Sequence, residues 1–278
     1  MCMTCGCNHP GQHQHEHDHS HPHNHGEHND AHLSTHHHGP QAHEHAYAGE
    51  FPTKGSTAEA PVETRTIRVE QEILLKNNTI AEQTRVFLRA REILALNLVS
   101  SPGAGKTTLL EKTLSTLRGT HRFAVIEGDQ QTDNDAQRIQ ATGSPAIQIT
   151  TGQVCHLDAQ MVQNALFKLD PDKGSIVMIE NVGNLVCPAL FDLGEAAKVV
   201  VASVTEGTDK PAKYPYMFRE AGVILLNKID LLPYVEFNQE AFTTMARAIN
   251  PDVEIMALSA TTGEGMDAWY QWMETAAR

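Results

Sequence analysis

The sequence predicts an α/β fold: a mostly parallel sheet covered by helices on both faces, preceded by a disordered Cys/His-rich N-terminal tail. Three observations predict it. From Leu94 onward, short β-branched runs alternate with helical patterns, and that alternation builds a parallel sheet clothed on both sides. The first of these runs leads straight into a glycine-rich turn and then a helical pattern. Before residue 62 the chain is of another kind, because residues 1–50 hold no Lys or Arg, six acids and 15 of the 17 His. Such a segment cannot bury enough apolar surface to offset its ordering entropy.

The elements follow in order. Residues 1–8 read MCMTCGCN, and residues 9–60 are His-rich and low in complexity, with Leu33 their one large aliphatic side chain. Residues 62–278 form the folded part, long enough for a sizeable core. It opens on a helix in which Ile73, Ile80, Phe87 and Leu94 recur every seven residues. Strands are expected at Leu94–Ser100, Phe123–Gly128, Ile147–Thr150, Ser175–Glu180, Lys198–Val204, Val223–Leu226 and Val253–Leu258. Helices are expected at Thr107–Leu117, Asp158–Lys168, Pro215–Ala221, Gln239–Ile249 and Met266–Ala276.

Composition excludes several functions. The formal charge of −13 divides into −6 for the first fifty residues and −7 for the rest, with no basic block to hold nucleic acid. No apolar run reaches the ~18 residues of a membrane span. The N-terminus lacks the basic and apolar regions of a signal peptide, so a cytoplasmic protein is expected. Five Cys are too few and too clustered for a disulfide scaffold, and in a reducing compartment they read first as metal ligands.

The turn after Leu94–Ser100 is Ser101-Pro102-Gly103-Ala104-Gly105-Lys106-Thr107-Thr108, close to the phosphate-binding P-loop and set between a strand and a helix as that motif requires. This makes the expected fold a P-loop NTPase. Its glycines let backbone N–H groups wrap phosphates at a helix N-terminus. Lys106 would reach the β- and γ-phosphates, and the Thr107 hydroxyl would bind Mg²⁺. The strict pattern has Gly where this chain has Ser100. Asn227-Lys228-Ile229-Asp230 follows another apolar run. A carboxylate at Asp230 can accept from guanine N1–H and N2–H₂, which adenine cannot offer together. Ser259-Ala260 follows the last strand, where a backbone N–H can meet guanine O6. Asp129, Glu180 and Gly183 end the other strands at the carboxyl edge, where ligands bind in open α/β folds. Asp129 and Glu180 are candidates for Mg²⁺ or the attacking water. Gly183 can give its N–H to the γ-phosphate, which would make Val182–Pro188 a switch. Asp133 and Asp135 read as solvated loop and helix-start residues.

Cys2, Cys5 and Cys7 offer three thiolates at the terminus, with the terminal amine as a further donor. Soft thiolates plus nitrogen in a flexible strip suit a square-planar ion such as Ni(II). A redox or incidental thiol cluster is the other reading. His13, His15, His17, His19, His21, His23, His25 and His36-His37-His38 make a strip of many weak sites, a metal buffer. Cys155-His156 precedes a helical pattern, and Cys187 lies four residues after Gly183. Neighbours in a strand face opposite ways, so Cys155 and His156 can share an ion only from a loop or helix start. The placement of all three beside the switch favours a metal site, completed by water or a second chain. Packed core residues are the alternative.

The combination resembles the hydrogenase nickel-incorporation GTPases, the HypB family. The shared strings are Val99-Ser100-Ser101-Pro102-Gly103-Ala104-Gly105-Lys106-Thr107, Glu127-Gly128-Asp129-Gln130-Gln131-Thr132, Cys155-His156-Leu157-Asp158-Ala159, Glu180-Asn181-Val182-Gly183-Asn184-Leu185-Val186-Cys187-Pro188 and Leu226-Asn227-Lys228-Ile229-Asp230. The resemblance implies a GTP-dependent metallochaperone for [NiFe]-hydrogenase maturation. It implies high-affinity nickel at Cys2, Cys5 and Cys7, and nickel or zinc (Zn²⁺) at Cys155, His156 and Cys187. It implies a GTP- or metal-dependent homodimer, a small zinc/nickel-binding maturation partner and the hydrogenase large-subunit precursor as client. Slow turnover is expected, since no arginine finger can be named in the sequence. The rival readings are a nickel or zinc storage protein, a chaperone for another nickel enzyme such as urease, and a phosphotransferase, which would not need a guanine-reading acid.

Overall fold

The computed structural model describes residues 62–130 and 134–277. Segments 1–8 and 9–60, with Cys2, Cys5, Cys7 and the His tract, lie outside the described residues, as does Asp133. Seven strands, β1 (Leu94–Ser100), β2 (Phe123–Asp129), β3 (Ala146–Thr150), β4 (Ile176–Glu180), β5 (Ala197–Ser203), β6 (Ala221–Asn227) and β7 (Glu254–Ala257), form one sheet. Their order is β3-β2-β4-β1-β5-β6-β7 and every pairing is parallel, so the sheet is wholly rather than mostly parallel. Each expected strand is present, with ends within about two residues, the usual uncertainty of such boundaries.

The helices are α1 (Val62–Ala90), α2 (Lys106–Leu117), α3 (Asn134–Ala141), α4 (Ala159–Leu169), α5 (Cys187–Leu190), α6 (Lys210–Lys213), α7 (Pro215–Arg219), α8 (Gln239–Ile249) and α9 (Met266–Ala276). Alternation along the strands sends side chains to opposite faces. Leu94, Leu96 and Leu98 of β1 meet Leu110, Leu114, Trp269 and Met273 of α2 and α9. Ala95 packs with Leu88, Leu157 and Leu166 from the α1/α4 side, and Val99 with Phe218 and Phe242 from the α7/α8 side. Parallel strands buried on both faces read as near-continuous apolar runs, which is why β1, β4 and β6 were legible.

Helix α1 departs from its expected form. It ends at Ala90, and Leu94 already opens β1 after a turn in which Glu92 has φ 54°. Its buried face is Asn77, Ala81, Thr84 and Leu88, while Ile73 of the heptad is 51% exposed. The heptad marks an apolar stripe, but hydrogen-bond partners available to Asn77 and Thr84 decide which face is covered. The short helices α3, α5 and α6 carried too little periodicity to be expected.

Candidate nucleotide and metal site

The P-loop folds as its glycines require. Gly103 (φ 79°) and Gly105 (φ 98°) sit in the left-handed region, where only glycine is unstrained. A Cβ on Gly105 would also stand 2.6 Å from Asn227 Nδ2. Gly105→Ala is therefore expected to cost about 1–3 kcal/mol of stability. Urea unfolding would show this as a lower midpoint at constant slope, and an unmoved midpoint would refute the close approach.

Sheet order brings distant residues together at the carboxyl edge. Parallel register sets Glu180 of β4 beside Leu98 of β1 and Glu127 of β2. Thr107 Oγ1 donates to Glu180 Oε1 at 2.7 Å. Lys106 Nζ donates to Ser100 Oγ at 2.9 Å, which gives the departure from Gly at position 100 a physical use. A cleft of about 540 Å³ opens here, lined among others by Lys106, Thr107, Asp129, Arg138, Glu180 and Gly183. Burial lowers the Lys106 pKa, against the pull of Glu180. Burial also raises the Glu180 pKa, against the nearby Lys106 charge and the Thr107 hydrogen bond. Glu180 Oε2 is buried without a hydrogen-bond partner among the described residues. An orphaned carboxylate oxygen beside a hydroxyl and a second acid is the hard-oxygen donor set that suits Mg²⁺. Gly183 lies against the loop, since a Cβ there would be 3.1 Å from the Pro102 backbone.

The Asn-Lys-x-Asp residues divide their work. Asn227 Nδ2 donates to the Ala104 carbonyl at 2.9 Å, and its Oδ1 accepts from Lys228 N at 2.8 Å and Ala260 N at 3.0 Å. Lys228, at φ 64°, reaches the Gly103 carbonyl with Nζ at 2.6 Å. Both residues therefore brace the P-loop. Asp230 Oδ1 is buried without a hydrogen-bond partner among the described residues, as a carboxylate poised for a base would be. The Ser259 and Ala260 N–H groups are both given to protein acceptors, the Glu264 carbonyl at 2.8 Å and Asn227 Oδ1 at 3.0 Å. A guanine O6 would have to share them.

The second cluster sits at the same edge. Cys155 and His156 lie between β3 and the Asp158 cap of α4, which accepts from Met161 N at 2.7 Å. Cys187 opens α5. All three are buried and their donor atoms lie within 4.8 Å of one another. The sulfurs are 3.2 Å apart, and Cys155 Sγ is 4.0 Å from His156 Nδ1. Burial lowers the His156 pKa, which favours the neutral imidazole that metals bind. Its ring faces Phe191 with centroids 4.0 Å apart. Two thiols and a neutral imidazole fit a tetrahedral zinc or a thiolate-rich nickel site.

Four residues were missed by sequence reasoning. Arg138 lines the cleft and is held by Glu111 at 2.5 and 3.1 Å and by Asp135 at 3.1 Å. Asn181 Oδ1 accepts from Leu157 N at 3.2 Å and Val182 N at 3.0 Å, and its Nδ2 donates to Asn97 Oδ1 at 3.2 Å. Asn97 donates in turn to Glu195 Oε1 at 3.0 Å. A polar residue inside the apolar run Leu94–Ser100 was the available signal for Asn97. The fourth is Asn77 of α1, buried and bonded to Ala159 N and the Asp192 carbonyl.

Comparison with known proteins gives four likenesses. The family described as "CobW/HypB/UreG, nucleotide-binding domain" matches residues 94–257. The chain is similar to "Hydrogenase maturation factor HypB" of Escherichia coli (strain K12), 58% identical over 221 residues that cover 80% of this chain and 76% of that protein. Among solved structures it resembles the hydrogenase maturation factor HypB from Archaeoglobus fulgidus (TM-score 0.69, 37% identity, 73% of this chain and 100% of that chain). It also resembles HypB from Helicobacter pylori in complex with nickel (TM-score 0.68, 35% identity, 73% and 95%).

Proposed function

Because the chain belongs to the HypB family of hydrogenase maturation factors, we propose that it is a GTP-hydrolysing nickel metallochaperone that stores Ni(II) and delivers it during [NiFe]-hydrogenase maturation. One observation carries this reading. The single segment Glu180–Cys187 holds a cleft acid, the Gly183 N–H beside the P-loop and a ligand of the metal cluster.

The roles follow from position. Lys106 Nζ exchanges its Ser100 partner for the β- and γ-phosphates, and backbone N–H groups of residues 103–108 cradle them. Thr107, Asp129 and Glu180 would hold Mg²⁺, which neutralises phosphate charge when bound. Gly183 N–H meets the γ-phosphate, so the segment is ordered with the triphosphate and released after hydrolysis. Cys187 moves with that segment while Cys155 and His156 stay on the α4 side, so ligand geometry changes with nucleotide. Arg138 is engaged by Glu111 and Asp135, which supports slow turnover without a partner. Nickel is the cargo, held at Cys155, His156 and Cys187 and, in the tail, at Cys2, Cys5 and Cys7. Zinc is the alternative occupant of the first site. The same reading assigns as partners a second copy of the chain, a small zinc/nickel-binding maturation protein and the hydrogenase large-subunit precursor. No helix among the described residues is long and apolar enough to cross a membrane, and we take the cytoplasm, where thiols stay reduced, as the working compartment.

The test is a Ni(II) titration of the full chain carrying Cys2→Ser, Cys5→Ser and Cys7→Ser, followed by the thiolate-to-nickel charge-transfer band, which the His tract does not give, with GDP and then with a non-hydrolysable GTP analogue. The expected result is an affinity difference between nucleotides of about 5- to 150-fold, the usual size of a coupling between sites. Equal affinities would make the cluster structural and leave delivery to the tail.

A further inference from the structure

We infer that Asn77 is a positioning residue for the metal cluster, through which helix α1 sets the geometry of Cys155, His156 and Cys187. The inference rests on the reading of these three as nickel ligands. Asn77 is 5% exposed. Its Oδ1 accepts from Ala159 N at 2.8 Å, and its Nδ2 donates to the Asp192 carbonyl at 2.8 Å. Those two backbone groups belong to the two segments that supply the ligands. Ala159 opens α4 three residues after His156. Asp192 follows Phe191, whose ring faces His156, and lies five residues after Cys187. One amide on α1 therefore spans both halves of the cluster.

Other contacts of α1 hold the same loop. Arg85 donates from one nitrogen to both Asp192 carboxylate oxygens at 2.7 and 2.6 Å. This arginine and a backbone bond from Gly194 hold the Asp192 pKa below the usual carboxylate range, against its burial. A Cβ on Gly194 would stand 2.6 Å from the Ala81 carbonyl, so the loop lies against the helix. On the far side Asn181 grips Leu157 N. The ligand segment is thus pinned between the nucleotide-sensing segment and α1, the helix that follows directly on the Cys/His-rich tail. Groups that orient metal ligands from outside are worth about 10- to 100-fold in metal affinity.

The test uses the full chain with Cys2→Ser, Cys5→Ser and Cys7→Ser, loaded with Ni(II) alone. It reads the thiolate-to-nickel charge-transfer band and the affinity against a competing chelator. Asn77→Leu keeps the branched shape of the side chain, with somewhat more bulk, and removes both hydrogen bonds. It is expected to weaken nickel binding by about 10-fold or more and to shift the band. Asn77→Asp keeps the acceptor for Ala159 N and loses the donor to Asp192, and should fall between. A parent-like band and affinity in Asn77→Leu would overturn the inference. So would a loss of affinity that merely tracks melting temperature with the band unmoved. Should the Leu variant fail to fold, Asn77→Asp is read alone, and parent-like binding there overturns it. Cys155→Ser is the control for the underlying reading. If it leaves the band intact, the nickel-ligand assignment fails, which is a different outcome from an unresponsive Asn77.

Discussion

Lys106→Ala is expected to reduce GTP hydrolysis by about 100-fold or more, the effect of removing one preorganised donor from a developing negative charge. The cations nearest the loop are engaged elsewhere, Lys210 with Ser101 Oγ at 2.7 Å, Lys228 with the Gly103 carbonyl at 2.6 Å and Arg138 with Glu111 and Asp135, and a loop of backbone N–H groups can hold phosphate but cannot replace a cation. The variant should still fold. Lys106 and Glu180 offset one another in a buried site, and burial already pushes the Glu180 carboxyl toward its protonated form. Once Lys106 is gone, Glu180 can take up a proton rather than remain a bare charge. Single-turnover hydrolysis and a melting curve read the two effects apart. The nickel binding proposed for Cys2, Cys5 and Cys7 should be untouched in a direct binding assay. Loss of nickel there would refute the separation of storage from hydrolysis.

Asp230→Asn is expected to lower GTP affinity by about 100-fold or more, since an ionised acceptor facing two donors is worth about 1.5–3 kcal/mol per hydrogen bond. The Asn amide should in turn donate to the C2 carbonyl of xanthine, so XTP binding should improve. Asn227 and Lys228 give no such switch, because they bind the Ala104 and Gly103 carbonyls. Replacing them should loosen the P-loop for every nucleotide. Competition among GTP, XTP and ATP measures all three cases. An Asp230→Asn protein that still prefers GTP would remove Asp230 from the base site.

Much of the fold was legible because its signals are local. The run Leu94–Ser100, the glycine pair 103 and 105 and the helix from Lys106 lie within a few turns of chain. Turn chemistry and side-chain period act over that range. The composition of residues 1–60 likewise needs no partner to be read as Cys/His-rich and poor in core formers. Short helices such as α3 and α5 were not legible, since fewer than three turns carry no distinct period.

The sequence by itself determined a nucleotide-loop α/β domain, the residues available to it and the family it resembles. It also narrowed Cys155 and His156 to a loop or helix start. Only the tertiary structure decided which side chains meet. Thr107 and Glu180 are 73 positions apart and Cys155 and Cys187 are 32 apart. Each pair is joined because parallel strands with helical crossovers put every β-to-α turn at one edge of the sheet. The face of α1 that is buried was likewise settled by contact. Asn77 is covered because it satisfies two backbone groups that would otherwise be buried unpaired, a cost that outweighs covering another apolar residue of the stripe.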